Sequence, residues 1–209
     1  MEIGIIADIH ADFHALRIAL DIMGGQGADT ILCAGDLVEK GPHGDKVVEL
    51  LRSQDIPCVM GNHDYTARAN YTWRLENPEL ADKYNYVSLE TLSYLKDLPQ
   101  TLELSLEGKS LHVAHGTPWS FDTYVFPYSS RQIFKRVAHV ANSDVVILGH
   151  THEPMVAKFR ERWIVNPGSV CETHAHGSGT CALLSLPSCN LKVFDLKTGK
   201  RVSVHYVEF

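Results

Sequence analysis

The chain has 209 residues, 44% apolar and 21% charged, an ordinary globular composition with enough length to bury a substantial core. A formal charge of −6 speaks against binding nucleic acid or an acidic membrane through bulk charge, and no apolar run approaches the roughly 20 residues of a spanning helix. Five cysteines without a Cys-x-x-Cys pair suit a reduced, cytoplasmic compartment, whereas the twelve histidines are unusual and their positions carry the argument.

Residues 3–7 read as a strand; no basic segment precedes them and Asp8 interrupts the apolar run, so a signal peptide is not expected. Residues 12–23 read as a helix with Leu16, Ala19, Leu20 and Met23 on one face and Gly24-Gly25 as its stop. Thr30 to Ala34 is a buried strand, Asp45 to Gln54 a helix, and Pro57 to Met60 a third strand. This alternation predicts a right-handed parallel α/β sheet. Residues 65–99 break the rhythm: they are helical in tendency, carry Tyr65, Tyr71, Trp73, Tyr84, Tyr86 and Tyr94, and are expected to form an inserted cap. Strands resume at Leu102 to Leu106 and Leu111 to Ala114, followed by a helix near Ser130 to Ala141 and a strand at Val145 to Leu148. The remainder reads as antiparallel strands at 155–159, 163–165, 180–186, 191–196 and 202–207. No repeat or linker divides the chain, so residues 1–209 are expected to form one domain.

The predicted core strands run into metal-ligand residue types. The first leads to Asp8-Ile9-His10, the second to Gly35-Asp36, and the third to Gly61-Asn62-His63-Asp64. Later ones lead to His115-Gly116 and Gly149-His150-Thr151-His152. Open α/β sheets bind ligands beyond the carboxyl ends of their strands, so these residues are expected to converge on one crevice. The residue types suit a two-metal site, in which a bridging carboxylate and mixed oxygen and imidazole ligands hold two divalent ions about 3.5–4 Å apart. Asp36 is the natural bridge. Oxygen and imidazole donors without thiolate favour transition metals over magnesium alone: manganese first, with iron, nickel, cobalt and zinc as alternatives.

In order, D-x-H, G-D, G-N-H-D, a lone His and G-H-x-H resemble the signature of the calcineurin-like metallophosphoesterase superfamily. Gly35-Asp36-Leu37-Val38-Glu39-Lys40-Gly41-Pro42 and Asn166-Pro167-Gly168-Ser169 resemble its small bacterial single-domain branch. The resemblance implies a four-layer αββα sandwich with the helical segment inserted. It implies that Asp8, His10, Asp36 and His152 hold one metal, and that Asp36, Asn62, His115 and His150 hold the other. His63 would then be the acid that protonates the leaving oxygen, with Asp64 in support. Phosphate esters, diesters first, would be hydrolysed by a metal-bound hydroxide.

The substrate is expected to be a small phosphate ester, with a nucleotide among the options, and stable nucleic-acid or membrane binding is not. Lys40, Arg68 and Arg74 are candidates for phosphate contact. Tyr71 and Trp73 in the insert, and Trp119, Phe121, Tyr124 and Tyr128 after His115, are candidates for an aromatic wall. His14, near the site in sequence, and His174 and His176, after the Asn-Pro-Gly-Ser turn, stand as rim candidates. A phosphomonoester phosphatase is the alternative enzyme, although Lys40 stands where that group has arginine and lacks its bidentate fork. A non-catalytic interaction module on the same fold is the alternative of another class, and it would be expected to have lost part of the ligand set.

Overall fold

The computed structural model describes residues 1–69, 71–77, 79, 87–172 and 177–209, without the Arg74 side chain. Tyr84, Tyr86, His174 and His176 lie outside the described residues.

Period-two alternation builds the core. Strand β1 (Glu2–Ile6) turns Ile3 and Ile5 into one apolar cluster and Ile6 into another. Strand β8 (Thr180–Ser185) beside it does the same, with Ala182 and Leu184 one way and Cys181 and Leu183 the other. With β2 (Thr30–Cys33), β9 (Asn190–Asp195) and β10 (Arg201–Val202) they make a sheet of order β10-β9-β8-β1-β2. A second sheet takes β3 (Thr101–Leu106), β4 (Lys109–Ala114), β5 (Val145–Ile147), β6 (Met155–Phe159), β7 (Arg162–Asn166) and β11 (His205–Glu208). Its order is β11-β6-β7-β5-β4-β3.

The two sheets face each other across Ile5, Leu32 and Ala182 on one side and Val113, Ile147 and Val165 on the other. Helices α1 (Phe13–Gly25), α2 (Gly44–Ser53) and α5 (Leu89–Asp97) cover the first sheet through Leu16, Val47, Leu51, Leu92 and Leu95. Helix α6 (Arg131–Ala141) covers the second through Phe134, Val137 and Ala138. The layers are therefore α, β, β, α. No helix among the described residues is long and apolar enough to cross a membrane.

Several elements differ from the sequence reading. Gly24 and Gly25 remain inside α1, and the stop falls at Gly27, whose φ of +78° needs no Cβ penalty. There Gly27 N–H donates to Gly24 O and Ala28 N–H to Met23 O, both at 3.0 Å, satisfying the last carbonyls. Pro57 to Met60 forms one parallel bridge, Cys33 to Cys58, instead of a strand: the next N–H that would face β2, that of Gly61, donates to Asp64 Oδ2. The stretch read as one strand at 202–207 divides between the sheets: β10 pairs antiparallel with β9, and β11 runs parallel to β6. The first sheet is mixed, since β1 is parallel to β2 but antiparallel to β8.

The Gly-Asn-His-Asp turn opens a helix, α3 (Asn62–Ala69), followed by α4 (Tyr71–Glu76).

Candidate metal centre

The candidate ligands reach the centre on strained backbone. Asp8, His10, Asp36, His150 and His152 have φ of +54°, +49°, +56°, +69° and +60°, the left-handed region that non-glycine residues seldom enter. Each such turn bends the chain sharply after its strand, which lets residues two apart, as in Asp8-x-His10, face the same point. Neighbouring loops pack too closely for side chains elsewhere. A Cβ on Gly61 would collide with the Asp36 carboxylate and backbone, and one on Gly35, at φ +91°, would lie 2.8 Å from Gly61 N.

One group of donors comprises Asp8, His10 and His152, with ligand atoms all within 4.8 Å of one another. His152 Nε2 lies 3.2 Å from both His10 Nε2 and Asp8 Oδ1. A second group comprises Asp36, His115 and His150. His115 Nδ1 bonds Ala34 O at 2.7 Å, which points Nε2 inward, 3.1 Å from Asn62 Oδ1 and 3.3 Å from Asp36 Oδ2. That same Asp36 Oδ2 is 3.7 Å from His10 Nε2, so one oxygen adjoins both groups.

The spacing fits divalent cations. Donors at right angles around an ion about 2.1 Å away stand about 3 Å apart. Among the described residues, buried Asp8 Oδ1 and His150 Nε2 have no hydrogen-bond partner, as expected of atoms reserved for coordination. The electrostatics agree. Burial lowers the His10 pKa to about 3 and, with His115 nearby, that of His150 to about 4, leaving both imidazoles neutral. Burial also opposes charge on His115, yet the adjacent Asp36 and Asp8 raise its pKa to about 10. These carboxylates call for positive charge, and a proton on His115 answers it only in part.

The acidic residue of Gly-Asn-His-Asp is a buttress. Asp64 is fully buried and accepts N–H groups of Asp36, Leu37, Val38 and Gly61 at 2.8–3.2 Å, tying the second ligand loop to α3. The first residues of α3 in turn orient Asp36, since His63 N–H donates to Asp36 Oδ1 at 2.9 Å. The His63 ring stands edge-on to His10, with centroids 4.9 Å apart. Its Nδ1 is 2.7 Å from Glu39 Oε2, and this hydrogen bond, against partial desolvation, raises its pKa.

Asn166, Gly168 and Ser169 brace the remaining loops. Asn166 Nδ2 donates to Gly149 O and Thr151 Oγ1, and Ser169 Oγ to Asp8 O. Glu39, Asn166 and Ser169 lie in segments the sequence singled out, but nothing local in the sequence announced their partners.

A cavity of about 420 Å³ opens on the centre, lined by Asp36, Asn62, His63, His150 and His152 together with Lys40, Glu153, Tyr124, Phe126 and Tyr128. Lys40 Nζ is 3.3 Å from His10 Nε2. The other substrate-contact candidates are not among its described lining residues. Arg68 lies over the Tyr65 ring, 3.7 Å from Met60 Sδ. Tyr71 packs on the core beneath Lys96, and Trp73 is exposed on α4. Trp119 sits under Arg136, and Phe121 stacks on Tyr65. His14 is exposed on α1 and lines a separate cavity with Asp12, Glu172 and Lys197.

The donor set and four-layer architecture place the chain among metal-dependent phosphoester hydrolases. Residues 1–188 match the calcineurin-like phosphoesterase superfamily domain, and the chain belongs to that superfamily. A probable metallophosphoesterase of Methanothermobacter thermautotrophicus is 25% identical over 170 residues, 81% of this chain and 77% of its own length. A phosphodiesterase of Methanocaldococcus jannaschii is 22% identical over 173 residues, 82% of this chain and 85% of its own. The crystal structure of a metallophosphoesterase from Sphaerobacter thermophilus is similar with a TM-score of 0.72 at 26% identity, over 98% of this chain and 89% of that one.

Proposed function

We propose that the chain is a dinuclear metal-dependent phosphodiesterase. The observation that carries the reading is Asp36 Oδ2, which faces His115 Nε2 at 3.3 Å and His10 Nε2 at 3.7 Å and so stands between two donor groups. Asp8, His10, Asp36 and His152 would hold one ion, and Asp36, Asn62, His115 and His150 the other, with manganese the first candidate for both. When bound, two such ions supply a nucleophilic water at neutral pH and neutralise charge on the phosphoryl group.

The protein's own residues handle the substrate and the proton. Lys40 takes a non-bridging phosphoryl oxygen at the mouth of the centre. His63, held through Nδ1 by Glu39, whose hydrogen bond raises the imidazole pKa, gives a proton to the departing alkoxide. Asp64 keeps Asp36 and His63 in register through its backbone hydrogen bonds.

Two observations favour diesters. Lys40 is the one lysine or arginine among the described residues lining the cavity, and Glu153 lines it as well. The fork of arginine grips two oxygens of a dianionic monoester at once, whereas lysine offers a single point charge, enough for a monoanionic diester. The name of the Methanocaldococcus relative points the same way. The complete donor set, with His63 beside it, favours an enzyme over an interaction module.

Reconstitution of metal-stripped protein with Mn²⁺ tests the reading, with metal content and turnover measured together. The expected result is two ions per chain and faster hydrolysis of bis(p-nitrophenyl) phosphate than of p-nitrophenyl phosphate. Full activity with one ion would overturn the dinuclear site, and the reverse substrate order would make the chain a monoesterase.

A further inference from the structure

The wall of the cavity opposite the ligand loops is a stair of aromatic rings. Tyr124 stacks on the His150 ring with centroids 3.9 Å apart and planes 21° apart. Phe126 continues from Tyr124 at 5.5 Å and Tyr128 from Phe126 at 5.2 Å, each pair within 6° of parallel. The rings therefore form a run of near-parallel faces leading from a candidate metal ligand to the protein surface.

Anchoring the loop does not require these rings. Alternate residues of the segment do that work: Val125 and Pro127 are buried, with Val125 in the cluster under α6. Hydrogen bonds between Phe126 and Ser129 close the turn beyond, from Phe126 N–H to Ser129 Oγ and from Ser129 N–H to Phe126 O, both at 2.9 Å. Tyr124 is left 53% exposed and Tyr128 75% exposed, an apolar surface presented to solvent beside a reactive centre.

We propose that Tyr124, Phe126 and Tyr128 form a stacking subsite for the nucleobase of a nucleotide phosphodiester. The inference rests on the phosphodiesterase reading and names the substrate class of that site. Ring faces take any base, because every base has a π-face. Glu153, in the same cavity, is acceptor-only and offers a partner to a ribose hydroxyl or a base amino group, donors that a simple aryl ester lacks. With one lysine and one glutamate among its described lining residues, the cavity suits a substrate with a single diester charge and a neutral ring system better than a polyphosphate chain.

Adenosine 5′-monophosphate and ribose 5-phosphate differ only by the base and serve as the matched probes. Calorimetric titration of the Mn²⁺-reconstituted protein is expected to show the nucleotide binding roughly five- to a hundredfold more tightly. Tyr128→Ala, at a largely exposed position with little to lose in folding, is expected to erase most of that ratio, and Tyr128→Phe to retain it. Equal binding of the two probes by the wild-type protein, or an unchanged ratio in Tyr128→Ala, overturns the subsite. Its failure is distinguishable from failure of the catalytic reading, because diester hydrolysis is scored separately with bis(p-nitrophenyl) phosphate. A base-dependent ratio without hydrolysis would support the subsite and sink the phosphodiesterase.

Discussion

Glu39 Oε2 stands 2.7 Å from His63 Nδ1, joining the second ligand loop to the first turn of α3. The contact exists because Glu39 and Lys40 both take φ of +66°, folding the loop back over the helix start. Glu39→Gln keeps the hydrogen-bonding shape and removes the charge that favours imidazolium. Since the Glu39 bond raises the His63 pKa, its loss lowers that pKa, and the alkaline limb of kcat/KM moves to lower pH. His63→Ala is expected to cost about 10²–10⁴-fold, with poor leaving groups suffering most. Rate profiles over pH with alkyl and nitrophenyl diesters check both. Loss of metal from either variant, or equal slowing of all leaving groups, would mean that His63 is no acid.

Asp36→Asn replaces the carboxylate that stands between the two donor groups with a neutral amide. Because Asp36 Oδ2 adjoins both donor groups, occupancy of both ions is expected to fall together, taking turnover with it. Mass-spectrometric metal counting after equilibrium dialysis is the measurement. Loss of one ion with full retention of the other would assign Asp36 to a single site.

Asp64→Ala leaves four backbone donors buried without their acceptor. Each costs about 1–3 kcal/mol when left unmade, so the metal-free protein should lose at least about 3 kcal/mol of stability. Urea unfolding of stripped protein separates this from any effect of metal binding. An unchanged midpoint would show that water or a shifted loop replaces the carboxylate.

Gly61→Ala adds one methyl where Asp36 already stands. The Asp36 carboxylate must move out of its place between the two donor groups, so metal affinity is expected to drop more than stability. Comparison of melting temperature and metal content against Gly108→Ala, a site with open space but φ of +71°, isolates the collision from ordinary backbone strain.

The ligand residues were legible because two local patterns coincide. Short apolar runs mark β1, β2, β4 and β5, and each is followed within a few residues by histidine or a carboxylate. The third predicted strand shows the limit of that method: Pro57 to Met60 has the apolar character of a strand, yet contributes a single bridge. The pairing ends where the Gly61 N–H donates to the buried Asp64 carboxylate, and apolar character carries no sign of that competing bond. In the insert, aromatic content suits two roles equally, a wall for substrate and an anchor to the core, and it does not say which role Tyr71 or Trp73 takes. Tyr71 packs into the first core cluster and Trp73 stays on the surface of α4, outside the described lining of the cavity.

The sequence by itself determined which residue types stand at the strand ends and in what order, because strand periodicity and ligand chemistry are both written within a few residues. That order carries the resemblance to the superfamily, and the two-sheet core is implied by the resemblance, since periodicity alone points to a parallel α/β sheet. Tertiary structure alone decided that one oxygen of Asp36 adjoins both donor groups, that Glu39 holds His63, and which of the aromatic candidates line the cavity, Tyr124 and Tyr128 with Phe126 between them. Those relationships depend on left-handed turns at single residues and on which side of a loop faces the core. Both are set by packing between segments far apart in the chain, and the energies that choose them are not carried by any local pattern of residues.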